Sequence, residues 1–319
     1  MYDILFPMYD ILFPFALIIA LGVVCRRLRI GGLDAWSMRQ AINASVFNIF
    51  LPALCVKIIL TAQIDLETVL IPATACVTTI TGLVLSLAVY TLLGKAVAIE
   101  QGKKAVLVIA ATFGNVTYLG LPVLTGLYGS EAAKYALFYD LLATTPLLWL
   151  LCVPLASWYG EGKRYEIRES LRTIGALPPI WGICAGILIK LTGLSIPSVV
   201  LKTMGMLGDL VVPLMIFSIG LALSLPKVKH VYILAPAIII KLAIVPLISY
   251  QTASFLGLRQ TALASCVIEG AMPTMVLSLL IAARFKLDET LAAFLIVVTT
   301  VLSFATLPLA FHMTKFLIP

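Results

Sequence analysis

Three stretches of this chain, 68–94, 105–130 and 141–160, hold no charged side chain. Each exceeds the roughly 18 apolar residues that mark a candidate membrane-spanning helix. Inside hydrocarbon no water pairs with peptide groups, so a spanning segment is either a helix bonded within itself or a strand of a closed barrel. A barrel is written as short alternating strands, a pattern this sequence lacks. Composition agrees: 61% hydrophobic and 12% charged, with mean hydropathy +1.10, where a soluble domain is about one quarter charged. The chain is expected to be an all-α membrane protein. Its formal charge of +7 would suggest nucleic acid in a soluble protein. Here lysine and arginine collecting in cytoplasmic loops explain it, so membrane lipid is an expected partner and nucleic acid is not.

Hydropathy divides the chain into ten expected transmembrane helices, at 7–25, 40–60, 68–93, 105–128, 133–158, 174–192, 198–222, 231–251, 260–283 and 290–315. The longest polar connection, EGKRYEIRESLR at 161–172, splits them five and five. Fifteen of 22 basic residues fall in the loops after the odd-numbered spans, among them Arg39, Lys163, Arg164, Lys227 and Lys229. That bias makes those loops cytoplasmic and puts both termini on the extracytoplasmic side of the cell membrane. Five is odd, so the second set of helices enters the membrane in the opposite sense to the first. FNIFLPAL (47–54) in span two and DLVVPLMI (209–216) in span seven correspond faintly, as do Pro122 in span four and Pro273 in span nine. Two inverted five-helix repeats are a common plan of secondary carriers, though a channel can share the symmetry.

The chemistry concentrates in GNVTYLGLPV (114–123) and VIEGAMPTMV (267–276). Proline lacks an amide donor and its ring pushes against the carbonyl four residues earlier. Pro122 is therefore expected to free the carbonyl of Tyr118, and Pro273 that of Glu269. A broken helix offers amides at the start of its second half, which favour an anion, and carbonyls at the end of its first half, which favour a cation. Asn115, Thr117 and Glu269 flank the breaks. A carboxylate near the bilayer centre costs a few kcal/mol, so Glu269 should face a cavity, pair with a cation or carry a proton. Together with Asn115 it is also a candidate sodium site. Lys241, in the middle of span eight, and Asp140, in span five, are the other candidate coupling charges. Lys57 is expected to snorkel and His312 to lie at the surface. Asn43 and Asn48 are expected to bond neighbouring helices.

Other classes are disfavoured. No GxxxxGK[ST] stretch, HExxH motif or CxxC pair occurs, so neither an ATP-driven pump, an enzyme nor a metal centre is expected. The six cysteines lie mostly in apolar stretches and read as small hydrophobes. A cleavable signal peptide is not expected, because the start lacks a basic region and a small-residue cleavage site. MYDILFP occurs twice, at 1–7 and 8–14, and is assigned no function.

FNIFLPAL, GNVTYLGLPVL, VVPLMIFSIGLALS and EGAMPTMVLSLLIAARFKLD, taken in order, resemble the auxin efflux carrier family, the plant PIN proteins and their bacterial relatives. The resemblance implies a fold similar to bile-acid sodium symporters and NhaA-type antiporters, with broken helices four and nine crossing. It implies scaffold helices in 1–62 and 174–226, transport-domain helices in 63–160 and 227–319, and a cytoplasmic linker at 161–173. The implied activity is secondary transport of a small organic anion, auxin-like or a dicarboxylate, by an elevator motion. Asn115, Thr117, Tyr118, Gly120, Pro122, Met272, Pro273 and Thr274 would then line the substrate site. Glu269, Asp140 and Lys241 would handle a coupling proton or sodium ion, with no other cofactor, and a homodimer would form through the scaffold. The long central loop of many plant members is absent. Glu269 is more reminiscent of the bile-acid symporters, which leaves a sodium-coupled carrier of hydrophobic anions as an alternative. A ligand-binding membrane receptor is a second.

Overall fold

The computed structural model describes residues 2–160, 165–223 and 231–317. Lys163, Arg164, Lys227 and Lys229, four of the cations behind the expected orientation, lie outside the described residues. The helices are α1 (Tyr2–Cys25), α2 (Ala35–Thr61), α3 (Leu66–Ala96), α4 (Gln101–Thr112), α5 (Val116–Tyr128), α6 (Ser130–Tyr159), α7 (Ile167–Gly175), α8 (Pro178–Thr192), α9 (Ser198–Ala222) and α10 (Tyr232–Phe255). After them come α11 (Gln260–Gly270), α12 (Leu277–Arg284) and α13 (Glu289–Leu317). Among the described residues, six of these (α2, α3, α6, α9, α10 and α13) are long and apolar enough to cross a membrane. The bent pair α7 and α8 passes the same test together. The protein is an all-helical, multi-pass membrane protein, and its described residues form no strand.

Prolines shape these helices differently from the expectation. Pro52, Pro122, Pro146, Pro154 and Pro246 each stand at the second residue after a five-residue π-helical turn. Widening one turn relieves the clash between ring and carbonyl and accommodates the missing amide. Pro122 therefore does not break its helix: the π-turn Val116–Gly120 runs straight into Leu121–Tyr128. The interruption lies upstream, where Phe113 turns extended (φ −93, ψ 120) ahead of Gly114 and Asn115.

Two compact units divide the chain. The first comprises Met1–Leu66, Thr117–Leu137 and Gly175–Leu223. Its helices approach closely through glycine, as membrane helices do where small residues let backbones meet. On α8, Gly182 and Gly186 share one face. A Cβ added at Gly182 would sit 2.7 Å from the Pro52 carbonyl oxygen, and one at Gly186 would sit 2.8 Å from Ile59 Cβ. Lys190 Nζ donates to the carbonyls of Ile59 (3.0 Å) and Ala62 (2.7 Å), and Lys134 Nζ to Gln63 (2.6 Å), so ammonium groups close the carboxyl end of α2. At its other end, Asp34 accepts from the Ser37 amide at 2.7 Å, a cap that holds this exposed carboxyl below its usual range. Asn43 bonds a neighbouring helix as expected, accepting from Ser218 Oγ at 2.6 Å. Asn48 instead donates to Ala44 of its own helix. Arg39, counted above among the loop cations, is a buried helical residue of α2 with 4% exposure.

The tightest approach in this unit is α1 on α9. A Cβ on Gly220 would overlap the Ile19 carbonyl oxygen and lie 2.9 Å from Gly22 Cα. Both obstacles are backbone, so neither can swing aside. Gly220→Val is expected to cost about 3 kcal/mol, measured as thermal unfolding of the detergent-solubilised protein. A melting temperature equal to wild type would contradict this packing.

The second unit comprises Glu67–Val116, Phe138–Ile174 and Ser224–Pro319. Its core is built around α4, whose residues Ala105 to Thr112 are all buried, with Leu83, Tyr90, Leu148, Leu234, Ile281 and Leu295 packed in the same cluster. Polar atoms inside are mostly paired. Tyr90 OH donates to Ile233 O and accepts from Ala237 N, both at 2.9 Å. Ser86 Oγ and Thr112 Oγ1 lie 3.1 Å apart, and Ser249 Oγ donates to Cys266 O at 2.7 Å. His312, expected at the surface, is half-buried. Cys25, Cys55, Cys152 and Cys266 are buried as free thiols, whereas Cys184 is exposed.

Candidate functional site

In the second unit the interruption after α4 meets the interruption after α11. α11 ends at Gly270, and Pro273 keeps the chain from resuming a helix at once, since proline bars the preceding residue from helical geometry. The extended segments lie antiparallel, with Gly114 opposite Thr274. Asn115 N donates to Pro273 O at 2.7 Å, and Met275 N donates to Phe113 O at 2.9 Å. This short pairing satisfies peptide groups that would otherwise each cost several kcal/mol at membrane depth. Thr274 locks it further. Its hydroxyl donates to Ala110 O (2.9 Å), and its amide donates to Thr299 Oγ1 (3.1 Å), which itself donates to Leu295 O (2.7 Å). The amides of Asn115, Thr274 and Met275 are thus used by the crossing itself. The Glu269 carbonyl is not freed by Pro273, because it accepts from Met272 N at 3.2 Å.

Around this pairing sit buried charges. Glu269 is 1% exposed, and both its carboxylate oxygens lack a hydrogen-bond partner among the described residues. Lys241, also 1% exposed, donates from Nζ to Gly270 O at 3.0 Å. Its ammonium lies over Gly114, where an added Cβ would be 3.1 Å from Nζ and 3.3 Å from Met272 O. Gly114 thus leaves the space the lysine fills. Asp140 is buried and accepts from Thr145 Oγ1 at 2.9 Å. Glu269, Asp140 and Lys241 are all buried side chains of this unit. Asp140 and Lys241 each sit in a π-turn, Asp140–Thr144 and Ile240–Ile244, a distortion frequent at functional sites. Asn115 is 3% exposed and its Nδ2 has no partner among the described residues. Among the described residues the crossing therefore holds one unused donor and one unused carboxylate, both buried.

Of the residues singled out from the sequence, Asn115, Asp140, Lys241, Glu269, Met272, Pro273 and Thr274 all belong to this unit. Thr117, Tyr118, Gly120 and Pro122 belong to the first unit, on α5. The first unit has its own cavity of about 330 Å³, lined by α5 residues Leu121 and Thr125 together with Lys57, Glu131 and Asp209. Lys57, expected to snorkel, lines this cavity. Sequence reasoning missed Gly114 as the seat of Lys241 and Thr299 as the anchor of Thr274. Gly114 stood inside the quoted motif. Thr299 stood in an uncharged helix with other hydroxyls, and its spacing carried no signal.

The comparisons with known proteins show which family the chain belongs to. A membrane transport protein family model matches residues 12–311. An uncharacterized transporter of Methanothermobacter thermautotrophicus is 30% identical over 298 residues, covering 92% of this chain and 93% of the relative. Another, of Methanocaldococcus jannaschii, is 27% identical over 223 residues, covering 68% and 71%. The chain belongs to the membrane transport protein family, that of the auxin efflux carriers.

Proposed function

We propose that the protein is a secondary transporter of small organic anions, carboxylates of auxin-like or dicarboxylate type, working by elevator-type alternating access. The observation that carries this reading is the buried crossing, where Asn115 Nδ2 and both Glu269 oxygens have no partner among the described residues. An unpaired buried donor or carboxylate costs free energy unless something arrives to pair with it. The donor suits a carboxylate oxygen, and the acceptor suits a cation or proton. Formal charges at the crossing are one positive, Lys241, and two negative, Glu269 and Asp140. A single coupling cation balances them, and this supports ion-coupled transport. In this reading ten helices form two inverted five-helix repeats, with both termini outside and a homodimer through the scaffold. Residues 1–62 and 174–226 act as the scaffold, and 63–160 and 227–319 as the moving part. Met272 completes the substrate lining at the crossing in the second unit.

The two open Glu269 oxygens also favour a second reading, sodium coupling with a bile-acid-like hydrophobic anion. A thermal-shift series separates the two. Malate, malonate, indole-3-acetate and taurocholate are added to the purified protein with and without sodium, between pH 5 and 8. A carboxylate at about 100 times its Kd stabilises by about 2.7 kcal/mol. A shift with a small carboxylate that needs no sodium supports the first reading, and a sodium-dependent shift with taurocholate the second. No shift with any of the four contradicts both.

A further inference from the structure

The cavity of the first unit is lined by charges of both signs. Its volume is about 330 Å³, at the small end of the roughly 300–1,000 Å³ typical of ligand sites. One face of α2 supplies Leu54, Lys57, Ile58 and Thr61, at the spacing that puts residues on one side of a helix. Asp209 comes from α9, and Glu131 stands at the start of α6. Leu54, Ile58, Leu121 and Val212 give the cavity an apolar wall.

Lys57 is half-buried, and its stem is seated on α9 at Gly205. A Cβ added there would lie 3.0 Å from Lys57 Nζ and 3.4 Å from Cε, so glycine leaves the space that the lysine fills. Asp209 follows one helical turn later, on the same face of α9. Even so, the charged groups of Lys57, Asp209 and Glu131 form no ion pair or side-chain hydrogen bond among the described residues. Opposite charges share one cavity and are held apart. The carboxylates of Glu131 and Asp209 are exposed and open to an entering solute. A simple anion would meet two carboxylates here, and a simple cation would meet the lysine, so either one encounters a like charge. A small solute that carries both signs finds an opposite charge for each.

We infer that this cavity binds a small amino acid. Its carboxylate sits on Lys57, its ammonium on Asp209 and Glu131, and its side chain against the apolar wall. The site goes beyond the carrier reading and does not rest on it.

The test uses the full-length protein in phosphatidylcholine nanodiscs, with ligand affinity read by thermal shift. The probes are L-leucine, 4-methylpentanoate, which lacks the amine, and isoamylamine, which lacks the carboxylate. L-leucine is expected to bind wild type, and each singly charged analogue at least about tenfold more weakly. Lys57→Met is expected to weaken leucine by about tenfold or more and to leave isoamylamine no weaker than in wild type. Asp209→Asn is expected to weaken leucine by a similar factor and to leave 4-methylpentanoate no weaker. This isosteric change at an exposed position keeps the test decisive if Lys57→Met folds poorly. No response of wild type to millimolar leucine overturns the inference, as does leucine affinity unchanged by Asp209→Asn. An analogue that binds wild type as tightly as leucine also overturns it, because the site then reads only one charge. If phosphatidylethanolamine in the disc stabilises wild type but not Asp209→Asn, and leucine does neither, the occupant is a lipid headgroup and the amino-acid assignment is wrong.

Discussion

Lys241→Met is expected to destabilise the protein by about 3–5 kcal/mol, and Glu269→Gln in the same chain to recover most of that loss. The lysine is fully buried, its ammonium bonds the Gly270 carbonyl, and its stem fills the space left by Gly114. Methionine keeps most of the volume and removes the charge. Glu269 and Asp140 then remain as buried carboxyl groups of the same unit without the lysine's charge, and breaking one side of a buried charge arrangement costs more than never having built it. Glutamine at 269 removes the uncompensated charge. Unfolding of both single variants and the double variant in detergent gives the coupling energy. A double variant whose loss equals the sum of the two single losses would show that Lys241 and Glu269 do not act on each other.

Asn115→Ala is expected to reduce transport by about tenfold to a hundredfold, the worth of a hydrogen bond to a charged group, and to leave the fold intact. The two effects separate because the residue has two roles. Its backbone amide holds Pro273 O, and alanine keeps that bond. Its side-chain Nδ2 bonds nothing among the described residues, so deleting it removes a buried donor without stranding a partner there. Variants that damage transport usually also damage stability, and here the melting temperature is expected to stay within about 1 °C of wild type, in line with the roughly ±0.5 kcal/mol of a substitution that breaks no internal contact. A large drop in melting temperature would mean that the Asn115 side chain is structural.

The apolar stretches and their loops located the helices closely, because length and charge are local properties. For example, 198–222 was expected and Ser198–Ala222 is a helix. The interruptions were found for a partly mistaken reason. Proline marked them, yet Pro122 is absorbed by a widened turn, and the break falls at Phe113 to Asn115, where glycine and asparagine tolerate extended backbone. Pro273 does sit in the break, but the Glu269 carbonyl finds Met272 N. Whether a proline widens a turn or ends a helix depends on what packs around it, which no window of sequence records. Glu269 and Lys241 stood out because charge inside an apolar run is expensive wherever it falls. Arg39 did not, because it adjoins a run of loop arginines, and only the folded chain reveals that it is enclosed.

Counterflow in proteoliposomes tests the central claim most directly. Vesicles loaded with millimolar malonate and diluted into tracer malonate or tracer indole-3-acetate should accumulate label transiently, without ATP, saturably, and about tenfold or more slower with Asn115→Ala. Label that never accumulates above equilibrium in vesicles holding folded wild-type protein, or that enters equally with Asn115→Ala, would contradict a carrier built on the paired breaks.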